Sequence, residues 1–261
     1  MTAEGLFDGS YLRAAVFRPA QANGCLIVTF GHRTPDRNGF DPPRPSQRFL
    51  DAGWTQLQVQ PRFNDWFVNR DTDDLGVALA PFVAGFDHVA GIGFSMGGFG
   101  ALRLSGALTM AQVVAISPQV SIAPQVVPFD RRYREEGRGF DPVLGDLATH
   151  ARRDLQGVVI FDPFRPRDRC HADMIGAILP GVALCRYGFG GHPATDVLRK
   201  TVKFAAIQQL VITRSLTPAA VLALHRANRA MAPAWWRGVA ARAEKTGHFG
   251  LALQARARIR A

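Results

Sequence analysis

The segment Gly93-Phe94-Ser95-Met96-Gly97 places a glycine two residues to either side of a serine. An apolar, β-branched run at 88–94 precedes the serine, and a small-residue stretch with Gly97, Gly98, Gly100 and Ala101 follows it. That spacing suits a hydroxyl held on a very tight strand-to-helix turn, where the positions two residues away must be almost free of side chain. A helix beginning there aims its first N–H groups and the positive end of its dipole at the serine oxygen, where the negative charge of an acyl-transfer intermediate would develop. A serine hydroxyl is a poor nucleophile at neutral pH. The chemistry therefore requires a base within hydrogen-bond reach and a third group that orients the base.

The pentapeptide in its strand–turn–helix setting resembles the nucleophile elbow of the α/β-hydrolase family. The resemblance covers roughly residues 10–205, with Ser95 as the implied nucleophile and the Met96 backbone N–H as an oxyanion donor. The chain order it implies is serine, acid, histidine, with the histidine on a glycine-bearing loop after the last strand. His192 in Tyr187-Gly188-Phe189-Gly190-Gly191-His192-Pro193 occupies that place, whereas His32 and His88 precede Ser95 and His150, His171, His225 and His248 fall elsewhere. For the acid, Asp162 sits directly at the end of a strand and is the expected partner. The alternative is Asp168, which starts the following helix, where a carboxylate also serves as a cap. The loop after the early strand, Gly31-His32-Arg33-Thr34, implies the His32 N–H as the second oxyanion donor. Asp65 and Trp66, after the strand at 55–59, are expected at the sheet edge where substrates bind. Asn64-Asp65-Trp66-Phe67, Ser117-Pro118-Gln119 and Phe129-Asp130 also look like those of a bacterial set of α/β-hydrolase-like proteins linked to surface glycan modification.

The elements that must hold these residues follow from periodicity. Apolar runs at 26–30, 55–59, 88–94, 113–116, 158–161 and 182–186 read as short buried strands. Helical spacing at 45–52, 73–83, 98–108, 168–179 and 195–210 separates them. This alternation predicts an α/β fold, a mostly parallel twisted sheet with helices on both faces, since parallel neighbours need crossover connections. Residues 11–17 are expected to add an antiparallel edge strand. The segment 119–151, with Pro124, Pro128, Pro142 and the charged run 131–138, interrupts the rhythm where a lid would sit. About thirty residues predict a short lid over a shallow cleft. After about residue 205 strand signals end, and helices are expected from Thr217, from Pro233 and over 249–259. The expected division is an α/β-hydrolase-like domain over 1–205 and a small helical appendage over 206–261.

The 261 residues, 47% of them apolar, are enough for one substantial core. The net charge of +10 is concentrated at one end: residues 199–261 carry twelve Lys or Arg against one acid, Glu244, and the rest is close to neutral. An anionic partner is therefore expected at the basic C-terminal helices, if anywhere. That segment has no recognisable nucleic-acid-binding module. Cys25, Cys170 and Cys185 are sparse and odd in number, which fits a reducing compartment. No apolar run approaches the roughly 18 residues of a membrane span, so a soluble, cytoplasmic protein is expected. No spacing for a metal centre or a phosphate loop occurs, and no cofactor is expected. The functional expectation is a serine-dependent acyl hydrolase, esterase-like, or an acyltransferase working through a covalent acyl-serine, with a small-molecule or glycan acyl ester as substrate. The alternative is a non-catalytic binding or scaffolding protein that keeps the fold and uses its basic helices.

Overall fold

A computed structural model describes residues 3–199 and 204–260. Among the described residues eight strands form one sheet: β1 (Glu4–Asp8), β2 (Leu12–Phe17), β3 (Cys25–Phe30), β4 (Thr55–Pro61), β5 (His88–Phe94), β6 (Gln112–Ile116), β7 (Gln156–Phe161) and β8 (Val182–Arg186). Their spatial order is β1-β2-β4-β3-β5-β6-β7-β8. From β4 to β8 every pairing is parallel, while β2 runs antiparallel to both β4 and β1. The antiparallel strand expected at 11–17 is therefore present but is not the edge. β1 lies outside it, and its half-exposed sequence Glu4-Gly-Leu-Phe-Asp8 carries too little apolar periodicity to announce a strand.

The helices, in chain order, are α1 (Gln47–Asp51), α2 (Thr72–Val83), α3 (Met96–Arg103), α4 (Arg134–Gly137), α5 (Leu147–His150), α6 (Pro166–Ile178), α7 (Asp196–Arg199), α8 (Ala205–Ile212), α9 (Pro218–Asn228), α10 (Pro233–Lys245) and α11 (Phe249–Arg260). Within the helix expected over 195–210 the described residues form α7 and α8; residues 200–203, with Lys200 and Lys203 of the basic segment, lie outside the described residues.

Strand residues alternate between two cores because successive side chains leave opposite faces of a sheet. Leu26, Val28, Val113, Ala115, Val159 and Phe161 enter one core. Ile27, Val114, Ile116, Val158, Ile160 and Cys185 enter the other. Each fully buried Val, Leu, Ile or Phe contributes about 1.5–3 kcal/mol relative to exposure, so both faces must be covered, and helices cover both. On the second face Ile207 and Val211 of α8 and Val221 of α9 join the core. The buried Tyr187 hydroxyl donates to the Val221 carbonyl at 2.6 Å. Arg214, Arg226, Arg229, Arg237, Arg242, Lys245, Arg256 and Arg258 of the C-terminal segment are exposed. No helix among the described residues is long and apolar enough to cross a membrane.

Candidate active site

Ser95 follows β5 directly and stands at φ 50°, ψ −114°, a conformation that L-residues rarely adopt. Two hydrogen bonds hold it there, from Ser95 N–H to the Ile116 carbonyl at 2.8 Å and from Phe99 N–H to the Ser95 carbonyl at 3.0 Å. The flanking glycines are required by contact. A Cβ on Gly93 would lie 2.1 Å from the Gly97 carbonyl oxygen, and one on Gly97 would lie 2.7 Å from that of Phe30. The turn thus brings α3 against β3 and β5 with no room for a methyl group.

His192 arrives on the loop after β8. Its Nε2 is 3.0 Å from Ser95 Oγ, and its Nδ1 is 2.8 Å from Asp168 Oδ2. The structure thereby corrects the expectation for Asp162. Asp162 is buried, as its strand-end position implied, but both of its oxygens face backbone. Oδ1 accepts from Phe164 N–H at 3.0 Å and Phe189 N–H at 3.1 Å, and Oδ2 accepts from Gly191 N–H at 3.1 Å. Asp162 therefore shapes the loop that carries His192 and does not touch the imidazole. The expected capping role of Asp168 is likewise absent: α6 begins after Arg165, and Asp168, the third residue of the helix, is only 2% exposed.

Asp168 is held ionised by its surroundings. Burial raises the carboxyl's proton affinity, but the hydrogen bond and charge of His192 and the charge of Arg132 outweigh it and leave the group below the usual carboxylate range. Arg132 Nη1 lies 2.8 Å from Asp168 Oδ1. The N–H directions do not make this an aligned hydrogen bond, so the contact is chiefly coulombic.

The backbone donors expected of the elbow are free. Among the described residues neither the Met96 nor the His32 N–H has an intramolecular acceptor. Met96 is the first residue of α3, and His32 lines a cleft of about 530 Å³ together with Arg33, Ser95, Tyr133 and His192.

Asp65 and Trp66 do not line that cleft, contrary to expectation. Trp66 is fully buried, its Nε1–H donates to Gln119 Oε1 at 2.8 Å, and its ring packs on Tyr133 with centroids 4.7 Å apart. Asp65 is turned into its own loop, accepting from Phe67 N–H at 3.0 Å and Asn69 Nδ2 at 2.7 Å. Burial pushes its carboxyl up to about 6. A tryptophan of this size is worth more inside the core than at a wet edge, and here it reaches the site through Gln119, whose Nε2 lies 3.4 Å from Ser95 Oγ.

Three residues at the site were missed as functional candidates: Gln119, Arg132 and Tyr133. The Tyr133 hydroxyl is 3.3 Å from His192 Nε2, and its burial raises the phenol above its ordinary range. All three belong to the proline-interrupted segment between β6 and β7. Its charged run at 131–138 was a signal of sorts, but charge alone does not distinguish a solvated loop from one folded over a catalytic centre.

No family model matches the chain, and no curated protein matches it. Solved structures do. The capsule O-acetyltransferase of Neisseria meningitidis serogroup A aligns over 79% of this chain and 93% of its own, at 11% identity and a TM-score of 0.53. A hyperthermophilic esterase from Pyrobaculum calidifontis aligns over 83% and 86%, at 15% identity and a TM-score of 0.54. Carboxyl esterase 2 from Tuber melanosporum aligns over 83% and 88%, at 15% identity and a TM-score of 0.51. At these identities the likeness shows the shared architecture: the chain has the α/β-hydrolase fold.

Proposed function

We propose that the protein is a serine-dependent acyl hydrolase or acyltransferase in which Ser95, His192 and Asp168 form the catalytic triad. The observation that carries this reading is the unbroken sequence of contacts Ser95 Oγ to His192 Nε2 to Asp168 Oδ2, at 3.0 and 2.8 Å. With Asp168 accepting from Nδ1–H, the imidazole keeps a lone pair on Nε2 facing the serine. Nε2 takes the hydroxyl proton as Oγ attacks an acyl carbonyl. The Met96 and His32 N–H groups receive the oxyanion, and the imidazolium then returns the proton to the departing alcohol oxygen. In a second step water or an acceptor hydroxyl attacks the acyl-Ser95 ester and gives its proton to Nε2, which passes it to Ser95 Oγ as the C–Oγ bond breaks.

A scaffold with no chemistry would gain nothing from keeping a hydroxyl, an imidazole and a carboxylate in this order. Burying polar groups costs free energy unless they are hydrogen-bonded, and here the bonds run in the order that acyl transfer needs. The proposed substrate class is an acyl ester of a small molecule or a glycan. The cleft supports it: Arg33, Tyr133 and Thr195 offer polar contacts to a hydroxyl-rich alcohol portion, while Phe94 and Pro193 offer apolar wall. The capsule O-acetyltransferase with the same fold makes an O-acetyl glycan a sensible first member of that class to assay. Release of acetate from aryl acetates and from O-acetylated oligosaccharides, measured with and without an acceptor glycan, tests the reading. Turnover lost in Ser95→Ala and in His192→Ala is the expected result, and undiminished turnover in either variant contradicts it.

A further inference from the structure

Two consecutive residues of the segment between β6 and β7 grip His192 from opposite sides. Tyr133 stands by Nε2 at 3.3 Å, and Arg132 Nη1 lies 3.5 Å from Nδ1. The Arg132 guanidinium also reaches Asp168 Oδ1 at 2.8 Å, so that one carboxylate is shared between a cation and the base. Behind it Asp130 accepts from Arg132 Nε at 3.0 Å to each oxygen, and from Nη2 at 2.7 Å. His171 completes the chain. Its Nδ1 accepts from Val120 N–H at 3.2 Å, which leaves the proton on Nε2 to be donated to Asp130 at 2.9 Å. This tautomer carries no charge.

The groups in contact with His192 are Ser95, Tyr133, Asp168 and Arg132, with Asp130 and His171 one contact further back, and His32 and the Glu136-paired Arg33 line the same cleft. The side chains of Asp130 and Asp168 are 2% and 1% exposed, so water does little to compensate two neighbouring negative charges. Without a cation between them, two such carboxylates would compete for a proton. Arg132 is anchored by three contacts to Asp130 and only 20% exposed in its side chain, which fixes it as a structural charge.

We propose that Arg132, locked by Asp130, is a positioning residue of the triad: it holds the Asp168 carboxylate in place against His192 and balances the charge that governs when His192 accepts a proton. The proposal rests on the catalytic reading of Ser95, His192 and Asp168. Coulombic reasoning assigns opposite signs to its two members. Removing the nearby guanidinium favours the imidazolium, whereas removing the Asp130 charge leaves the guanidinium uncompensated and disfavours it.

The test is the second-order rate of Ser95 modification by a fluorophosphonate as a function of pH, which needs no knowledge of the substrate. In Arg132→Gln the acidic limb of the profile should move to higher pH by about one unit. In Asp130→Asn it should move to lower pH by a smaller amount. Arg132→Lys should return the limb towards wild type with a lower plateau, because the charge is kept but the fork to Asp130 is lost. A loss of stability or plateau alone, with the limb unmoved in Arg132→Gln and Asp130→Asn, overturns the inference, as does a lysine variant that behaves like the glutamine one. Should Arg132→Gln fail to fold, the Asp130→Asn shift decides, and its absence or reversal overturns the inference. Wild-type protein that is not modified at Ser95 would instead remove the catalytic reading itself, so the two failures are distinguishable.

Discussion

Asp162 and Asp168 stand six residues apart and are both buried, yet their carboxylates serve different bonds. Replacing Asp168 with Asn leaves the size unchanged but removes the charge and favours the wrong imidazole tautomer. The expected loss in kcat on an aryl acetate is about 10⁴-fold with little change in KM. Asp162→Asn keeps one oxygen acceptor for the Phe164 and Phe189 N–H groups and loses the bond to Gly191. It should cost about 1–3 kcal/mol of stability with a far smaller loss of activity. Denaturant midpoints and kcat measured on both variants check this, and a reversed ranking in activity would restore Asp162 as the acid. Ser95 and His192 were legible because the elbow spacing and the glycine-bearing loop each mark one residue. The acid was not, because the choice depends on the angle at which α6 leaves the end of β7. No residue type in Pro163-Phe164-Arg165-Pro166 declares that angle.

At the scale of elements, the turn at Ser95 and the loop after β4 each store a measurable feature. Gly93→Ala would drive a methyl into the Gly97 carbonyl at 2.1 Å, and nothing but backbone can yield. The expected cost is at least about 3 kcal/mol in a urea titration; a neutral result would mean that the turn is looser than its contacts indicate. Asp65 carries a pH signature. Its carboxyl is pushed up to about 6 in the fold against an ordinary value near 3.8, so the native state binds the proton more tightly than the unfolded chain. The stability this contributes is fully present below the unfolded value and is lost as pH rises from about 4 through 6. It is of order 3 kcal/mol for a two-unit difference. Urea midpoints of wild type should therefore fall relative to Asp65→Asn across that window, and parallel curves would contradict the assignment. The segment between β6 and β7 shows what periodicity leaves out. Its prolines and charges announced an interruption, but Gln119, Arg132 and Tyr133 reach the site through irregular backbone, which has no repeat to read.

At the scale of the whole molecule, the alternation of apolar strands with helical stretches was enough to foresee a parallel sheet covered on both faces. Parity within each strand, such as Val113 and Val114 entering different cores, follows from that same pattern. The spatial order of the strands and the presence of β1 were not legible, because pairing order depends on crossovers and an exposed edge strand needs no apolar code. The central claim, that this fold activates Ser95 through His192 and Asp168, is tested most directly by mapping the residue modified when the native protein meets a fluorophosphonate. The account predicts one adduct per chain, located at Ser95, abolished by heat denaturation and by Ser95→Ala, and formed much more slowly in His192→Ala and Asp168→Asn. No adduct on the folded wild-type protein, or an adduct at another residue with Ser95 unmodified, would contradict it.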